Sequence, residues 1–272
     1  MTDELRLMEI GFYPFNKMNE ERWDIVRSQA AFGFFSSFQK ARDFVATMPF
    51  PLDELYVTTG MTELVLYDGD WAILEVMPFP GARVLTQWSQ LKTKIANAIA
   101  EKDYYAPLVY APNALRMFLV MQHINDIEDN EEKRALILSV RQSAEYNFAD
   151  FDEEVAIPWL QEHYTEQATD LLSLATCHPQ DRLTVYRGEG SKSTFVEEAY
   201  SWTLDKNRAV FFATRFDEEG VVYTGTVARS DVMAYLEGED EVLVSWFCIF
   251  DVTDDTVSRY DLQKKTKQKG LV

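Results

Sequence analysis

Cysteine is scarce in this chain: Cys177 and Cys248 are the two in 272 residues. Two thiols cannot build a disulfide framework, so a reducing cytoplasm is the expected compartment. Histidine is nearly as rare. His123, His163 and His178 are scattered, and with the cysteines they show no metal-ligand spacing, so no metal is expected. No apolar run approaches the roughly 20 residues of a membrane-spanning helix. The opening MTDELRLMEIG has neither the basic n-region nor the apolar h-region of a secretory signal. These absences predict a cytoplasmic protein without a membrane partner. Positive charge is also in short supply, with 26 Lys+Arg against 45 Asp+Glu and a formal net charge of -19. Such acidity repels nucleic acid in bulk and favours basic partners. The deficit is uneven: residues 1–180 carry 14 basic and 28 acidic residues, and residues 181–272 carry 12 and 17. The one local reversal is the tail Lys264, Lys265, Lys267 and Lys269. It reads as a solvated end or, less often, a phosphate contact.

What is present describes an ordered globular protein. Hydrophobic residues at 47% and aromatics at 14% exclude a disordered chain. Residues 19–48 have helical spacing, and Met48-Pro49-Phe50-Pro51 then breaks it. Thr62 to Val76 reads as a β-hairpin around Asp68-Gly69. Helices are predicted over 84–101, Asn113–Ile127 after Pro112, and Glu131–Phe148. A further helix should run from Pro158 to about Ala175. After Pro179 the pattern changes to strand period. Arg182–Tyr186, Val221–Val227 and Val242–Phe250 are the predicted strands, the last too apolar for an exposed edge. The fold class is therefore α+β, a mostly helical region followed by a sheet core split by a cleft.

Three short pieces in this last region carry the chemistry. They are Val185-Tyr186-Arg187-Gly188, then Ser201-Trp202-Thr203, then Glu239-Asp240-Glu241-Val242. An arginine ending one strand can grip a phosphate as a planar, always-charged fork. Hydroxyls on a second strand can orient a carboxylate, and that carboxylate can face positive charge developing on a ribose. The set makes a usable site for NAD. Each piece alone is common: Arg187 is by itself a surface arginine, and Glu241 a solvated strand end. Their order, spacing and strand setting make the set specific.

With those residues in view, roughly residues 181–252 resemble the mono-ADP-ribosyltransferases of the arginine–serine–glutamate class. The segment Leu204–Phe212 (LDKNRAVFF) looks like the family's short helix after the serine strand. Ser230–Tyr235 (SDVMAY) resembles the lead into its glutamate turn. The resemblance implies two facing small sheets and transfer of ADP-ribose from NAD, used as a substrate, to a macromolecular acceptor. It implies Glu241, Glu239 and Ser201 as catalytic. It also implies contacts to NAD from Tyr186, Arg187, Gly188, Ser201, Trp202, Thr203 and Phe212. Ser201 would hold Glu241. Thr203 would support the strand or cap the helix near Asp205. Trp202 and Phe212 would line the nicotinamide pocket or simply be core.

In the family, two glutamates in this alternation go with arginine as acceptor, so protein arginine is the favoured acceptor and Glu239 its orienting base. Two departures fall near the acceptor side: Tyr200 stands where many relatives have glycine, and Glu237 where they often place arginine. RNA or DNA as acceptor is a second reading, resting on the lysine tail and the Glu237 turn. A third is a non-catalytic binding protein that keeps the fold. Several relatives of this size in bacteria and phages act as toxins or phage-conflict proteins, so an antitoxin or chaperone is an expected partner class for the acidic N-terminal region. Because helices before the arginine strand belong to the transferase fold in this family, the expected division is an N-terminal α/β region over 1–110 and a catalytic domain over 111–272.

Overall fold

The computed structural model describes residues 12–29, 34–58, 64–76, 83–143 and 156–259. The chain divides into two units, Met1–Ile157 and Pro158–Val272. In the first, the order is β1 (Phe12–Pro14), α1 (Glu20–Gln29), α2 (Phe38–Ala46), β2 (Leu55–Thr58), β3 (Leu64–Tyr67) and β4 (Ile73–Glu75). Then come α3 (Arg83–Ala100), α4 (Tyr105–Tyr110), α5 (Asn113–Gln122) and α6 (Asn130–Ser143). The strands form an antiparallel sheet in the order β1-β2-β3-β4. The β3–β4 hairpin turns where the sequence predicts. Gly69 takes φ 84°, and the Asp68 carboxylate accepts the backbone N–H of Asp70 at 3.0 Å and of Ala72 at 3.2 Å.

Helix α5 packs on that sheet. The Phe118 ring lies 6.4 Å from Phe12 and 6.1 Å from Tyr67, and the Tyr67 hydroxyl donates to Gln122 Oε1 at 2.7 Å. These contacts hold residues after 110 within the first unit, so the division expected near 110 does not coincide with the one at Ile157/Pro158. The single helix expected over 19–48 is two, α1 and α2, the second capped by the Ser37 side chain accepting from the Lys40 N–H. Of the helix expected over 131–148, residues 144–148 lie outside the described residues, as does the lysine tail from Lys264 to Lys269.

The second unit holds α7 from Pro158 onward (Ile157–Glu162), α8 (Thr169–Cys177), β5 (Arg182–Glu189) and β6 (Ser201–Thr203). They are followed by α9 (Lys206–Thr214), β7 (Glu219–Ala228), β8 (Ala234–Leu236), β9 (Glu241–Leu243) and β10 (Phe250–Ser258). The helix expected from Pro158 to Ala175 is thus interrupted. The His163 ring pairs with the Trp159 carbonyl at 3.0 Å, and a turn closed by Ala168 N–H to Thr165 O precedes α8. The six-stranded sheet runs β10-β7-β5-β6-β9-β8, antiparallel at every join. Its joins differ in strength. Strands β5 and β7 pair from Arg182↔Ala228 to Glu189↔Val221, whereas β5 and β6 meet at the single pair Tyr186↔Thr203. The sheet is therefore nearly parted at that seam, into β10-β7-β5 on one side and β6-β9-β8 on the other.

One face of this sheet buries the main core of the unit. Leu171 and Leu174 of α8 pack with Leu183, Val185, Trp202, Val227, Val242 and Val244. The other face takes α9 through Ala209, Val210 and Ala213. The strand expected over Val242–Phe250 stops at Leu243. Val244 N–H bonds to Tyr200 O, and Trp246–Cys248 form a 3-10 turn before β10 begins. The apolar run reports burial rather than extension, since Val242, Val244 and Ile249 all enter the same core. Among the described residues no helix is long and apolar enough to cross a membrane.

Candidate functional site

The three motifs come together at the seam. Each falls on a separate strand, and β5, β6 and β9 are consecutive neighbours in the sheet. On β6 the pleat turns Trp202 to the core and Ser201 and Thr203 to the other face. The register then decides which hydroxyl meets which carboxylate. Thr203 stands directly across from Glu241, while Ser201 pairs with Leu243. Directly opposed side chains have Cβ atoms about 4.5–5.5 Å apart, and diagonal neighbours roughly 7–8 Å. The residue directly across from Glu241 is therefore Thr203, and Ser201 stands across from Leu243.

Of the two roles left open for Thr203, the helix cap falls to Asp205 instead, and Thr203 ties the strand to its neighbours. Its hydroxyl accepts the Asp205 N–H at 3.1 Å, at the start of α9, and donates to the Glu239 carbonyl at 3.4 Å. The N-cap itself is Asp205, whose carboxylate accepts the Asn207 N–H at 2.8 Å. Trp202 is 1% exposed and stacks on Trp246 at 6.1 Å, so it belongs to the core and not to an open nicotinamide pocket. Phe212 is half-buried on α9, with the Arg215 guanidinium 5.1 Å from its ring.

Arg187 is half-buried at the same seam. Being next to Tyr186, which pairs with Thr203, it leaves β5 on the opposite pleat and does not share the Glu241 face. Its guanidinium turns along the strand edge instead, donating to Ser201 O and Thr194 O, each at 2.9 Å. It therefore straps the β6 strand to β5. Tyr186 packs against α9. Gly188 has a packing reason of its own: a Cβ there would lie 1.9 Å from the Ala209 carbonyl oxygen and 2.6 Å from the Ala213 nitrogen. Only a residue without a side chain lets α9 lie directly on β5.

The glutamates sit in a turn, not on one extended strand. Glu237–Glu239 form a 3-10 turn, Asp240 is left-handed at φ 48° and ψ 34°, and β9 starts at Glu241. A left-handed conformation costs an ordinary residue about 1–2 kcal/mol, and aspartate tolerates it better than most. The buried Tyr235 hydroxyl donates to Asp240 Oδ1 at 2.9 Å. Burial, and then that bond, push the Tyr235 phenol well above the usual tyrosine range. From α9, Arg208 donates to the Gly238 carbonyl at 2.9 Å. Arg215, close enough to Glu239 for its charge to be felt, has its pKa lowered by burial and partly restored by that carboxylate. Tyr235, Asp240 and Arg208 fall within the segments the sequence singles out, but residue types alone gave them no role at the turn. An aspartate between two glutamates was the available signal, because its side chain suits a left-handed turn.

A groove of about 470 Å³ lies at the other end of β5, where Arg182 begins the strand, with Tyr164, Leu171, Asp181 and Arg229 among its lining; none of the motif residues line it. No protein-family model, curated protein or solved structure matches the chain.

Proposed function

We propose that this protein is a mono-ADP-ribosyltransferase that moves ADP-ribose from NAD to a macromolecular acceptor, with protein arginine the favoured acceptor. The observation that carries the reading is the adjacency of β5, β6 and β9, which brings the arginine, hydroxyl and glutamate motifs to one seam with Thr203 across from Glu241. In the reaction the bond from ribose C1′ to the nicotinamide nitrogen breaks, and its electron pair leaves with neutral nicotinamide. An acceptor nitrogen then bonds to C1′ and gives up a proton. Glu241 supplies the anion that faces positive charge on the ribose. Arg187, on the opposite pleat, straps β6 in place through Ser201 O and Thr194 O. Glu239, one left-handed residue away, receives the proton of the acceptor guanidinium. Arg208, bonded to the Gly238 carbonyl, holds the turn that presents it.

A second acceptor class is supported by a surface beside Glu239. Arg215 lies over Phe212 and over the half-exposed Phe216, and Lys192 lies over Phe216 at 5.1 Å. Cations interleaved with exposed rings suit stacked bases and phosphates. The test is incubation with NAD labelled in its adenylate phosphate, with protein and nucleic-acid acceptors offered separately. The reading predicts nicotinamide release and a labelled macromolecule. Removal of the label by protease alone assigns a protein acceptor, and by nuclease alone a nucleic acid. No release and no label from folded protein with either acceptor would sink the proposal.

A further inference from the structure

We infer that Asp240 is a positioning residue and Tyr235 its latch, together setting the direction of Glu239 relative to Glu241 and hence the partition of NAD between transfer and hydrolysis. The inference rests on the transferase reading. Two residues apart on an extended strand, the glutamates would leave the chain side by side on one face. Here they do not. Glu239 ends a 3-10 turn, Glu241 opens β9, and the left-handed Asp240 between them redirects the chain.

Asp240 is held at every polar group. Its N–H donates to Glu237 O at 3.2 Å, its carbonyl accepts the Leu204 N–H at 2.8 Å, and its carboxylate accepts the Tyr235 hydroxyl at 2.9 Å. The latch is anchored in turn. Tyr235 is 3% exposed, and its own N–H donates to the Asp170 carboxylate of α8 at 2.8 Å. Leu204 directly follows Thr203, so the same bond ties the turn to the residue facing Glu241. The Asp240 carboxylate is thus engaged with Tyr235 and takes no part in the chemistry; it acts through its neighbours.

The test compares the wild type with Asp240→Asn, Asp240→Ala and Tyr235→Phe. Nicotinamide release is measured with and without acceptor, together with KM for NAD, the melting temperature and hydrogen exchange of the Leu204 amide. Asparagine tolerates the left-handed turn and its amide oxygen can accept the Tyr235 hydroxyl, so Asp240→Asn should retain the wild-type ratio of transfer to hydrolysis. Asp240→Ala and Tyr235→Phe should each lower that ratio about tenfold with KM for NAD nearly unchanged, because small misplacements of a reacting group cost large factors in rate. Leu204 exchange should accelerate in both. A ratio unchanged in both variants, whatever happens to melting temperature, reduces the pair to a structural role and overturns the inference. If the wild type itself releases no nicotinamide, the transferase reading fails separately. Leu204 exchange then decides the latch: faster exchange in both variants upholds the hold on the turn, and unchanged protection removes it.

Discussion

In the first unit, half-buried polar groups are paired to buried aromatic side chains: Tyr67, with the Phe118 ring edge-on to it, donates to Gln122, and Trp88 together with Lys92 donates to the Glu54 carboxylate. In the second unit, Arg187, Ser201, Glu239 and Glu241 stand half-buried at a seam of one residue pair, with a left-handed aspartate beside them. A paired polar group under aromatic cover stabilises a scaffold. Half-buried polar groups at a weak join, on backbone that costs energy to hold, mark a candidate functional site. The difference lies in the setting of the polar residues, not in their number.

Several substitutions press on that comparison. Trp202→Ala removes the largest fully buried side chain of the second unit and should destabilise it by about 3–5 kcal/mol. Hydrogen exchange read separately on β5 and β3 amides should show the loss on β5. Equal losses on both strands would mean that the two units unfold as one. Gly188→Ala places a methyl against the α9 backbone and should destabilise the second unit by about 1–3 kcal/mol, measured by denaturant unfolding. A neutral result would mean that α9 does not lie on β5 as described.

Tyr67→Phe strips one hydrogen bond from the first unit and should remove about 1 kcal/mol there, leaving nicotinamide release untouched. The smallest effect is in alkali. Burial raises the Tyr67 and Tyr235 phenols above their ordinary value near 10, so the folded state holds protons that the unfolded state loses. Their contribution is fully present below about pH 10 and is lost as pH rises above it. Melting temperature followed upward from pH 9 should fall, and less steeply in Tyr67→Phe; identical slopes would count against this origin.

Much of the second unit could be read in the sequence because its motifs fall at strand and helix ends. Asp205 caps α9 close to where the resemblance implies a short helix, and the three motif strands follow in chain order. Other features were hidden for identifiable reasons. The apolar Val242–Phe250 run looks like one strand, yet its apolarity serves core contacts on both sides of a 3-10 turn. Strand β10 escaped because it is an edge strand carrying Asp251, Asp254 and Asp255, charges that mask strand character while protecting the edge. Strands β1 and β2 are three and four residues long, too short for a period to show. The facing of Thr203 and Glu241 depends on register, which residue types alone do not give.

The most direct test of the central claim is parallel measurement of nicotinamide release and acceptor labelling in Glu241→Gln and Glu239→Gln. Loss of an electrostatic contact at the reacting centre typically lowers rate by on the order of 10²–10³. Glu241→Gln should therefore lose transfer and hydrolysis together by that factor, since in the proposed reaction its carboxylate faces the ribose whichever nucleophile attacks. Glu239→Gln should lose transfer while much of the slow hydrolysis survives. Neither should shift melting temperature much, as both residues are half-buried at the seam. Wild-type transfer in Glu241→Gln, or equal loss of both activities in the two variants, would contradict the assignment of these carboxylates.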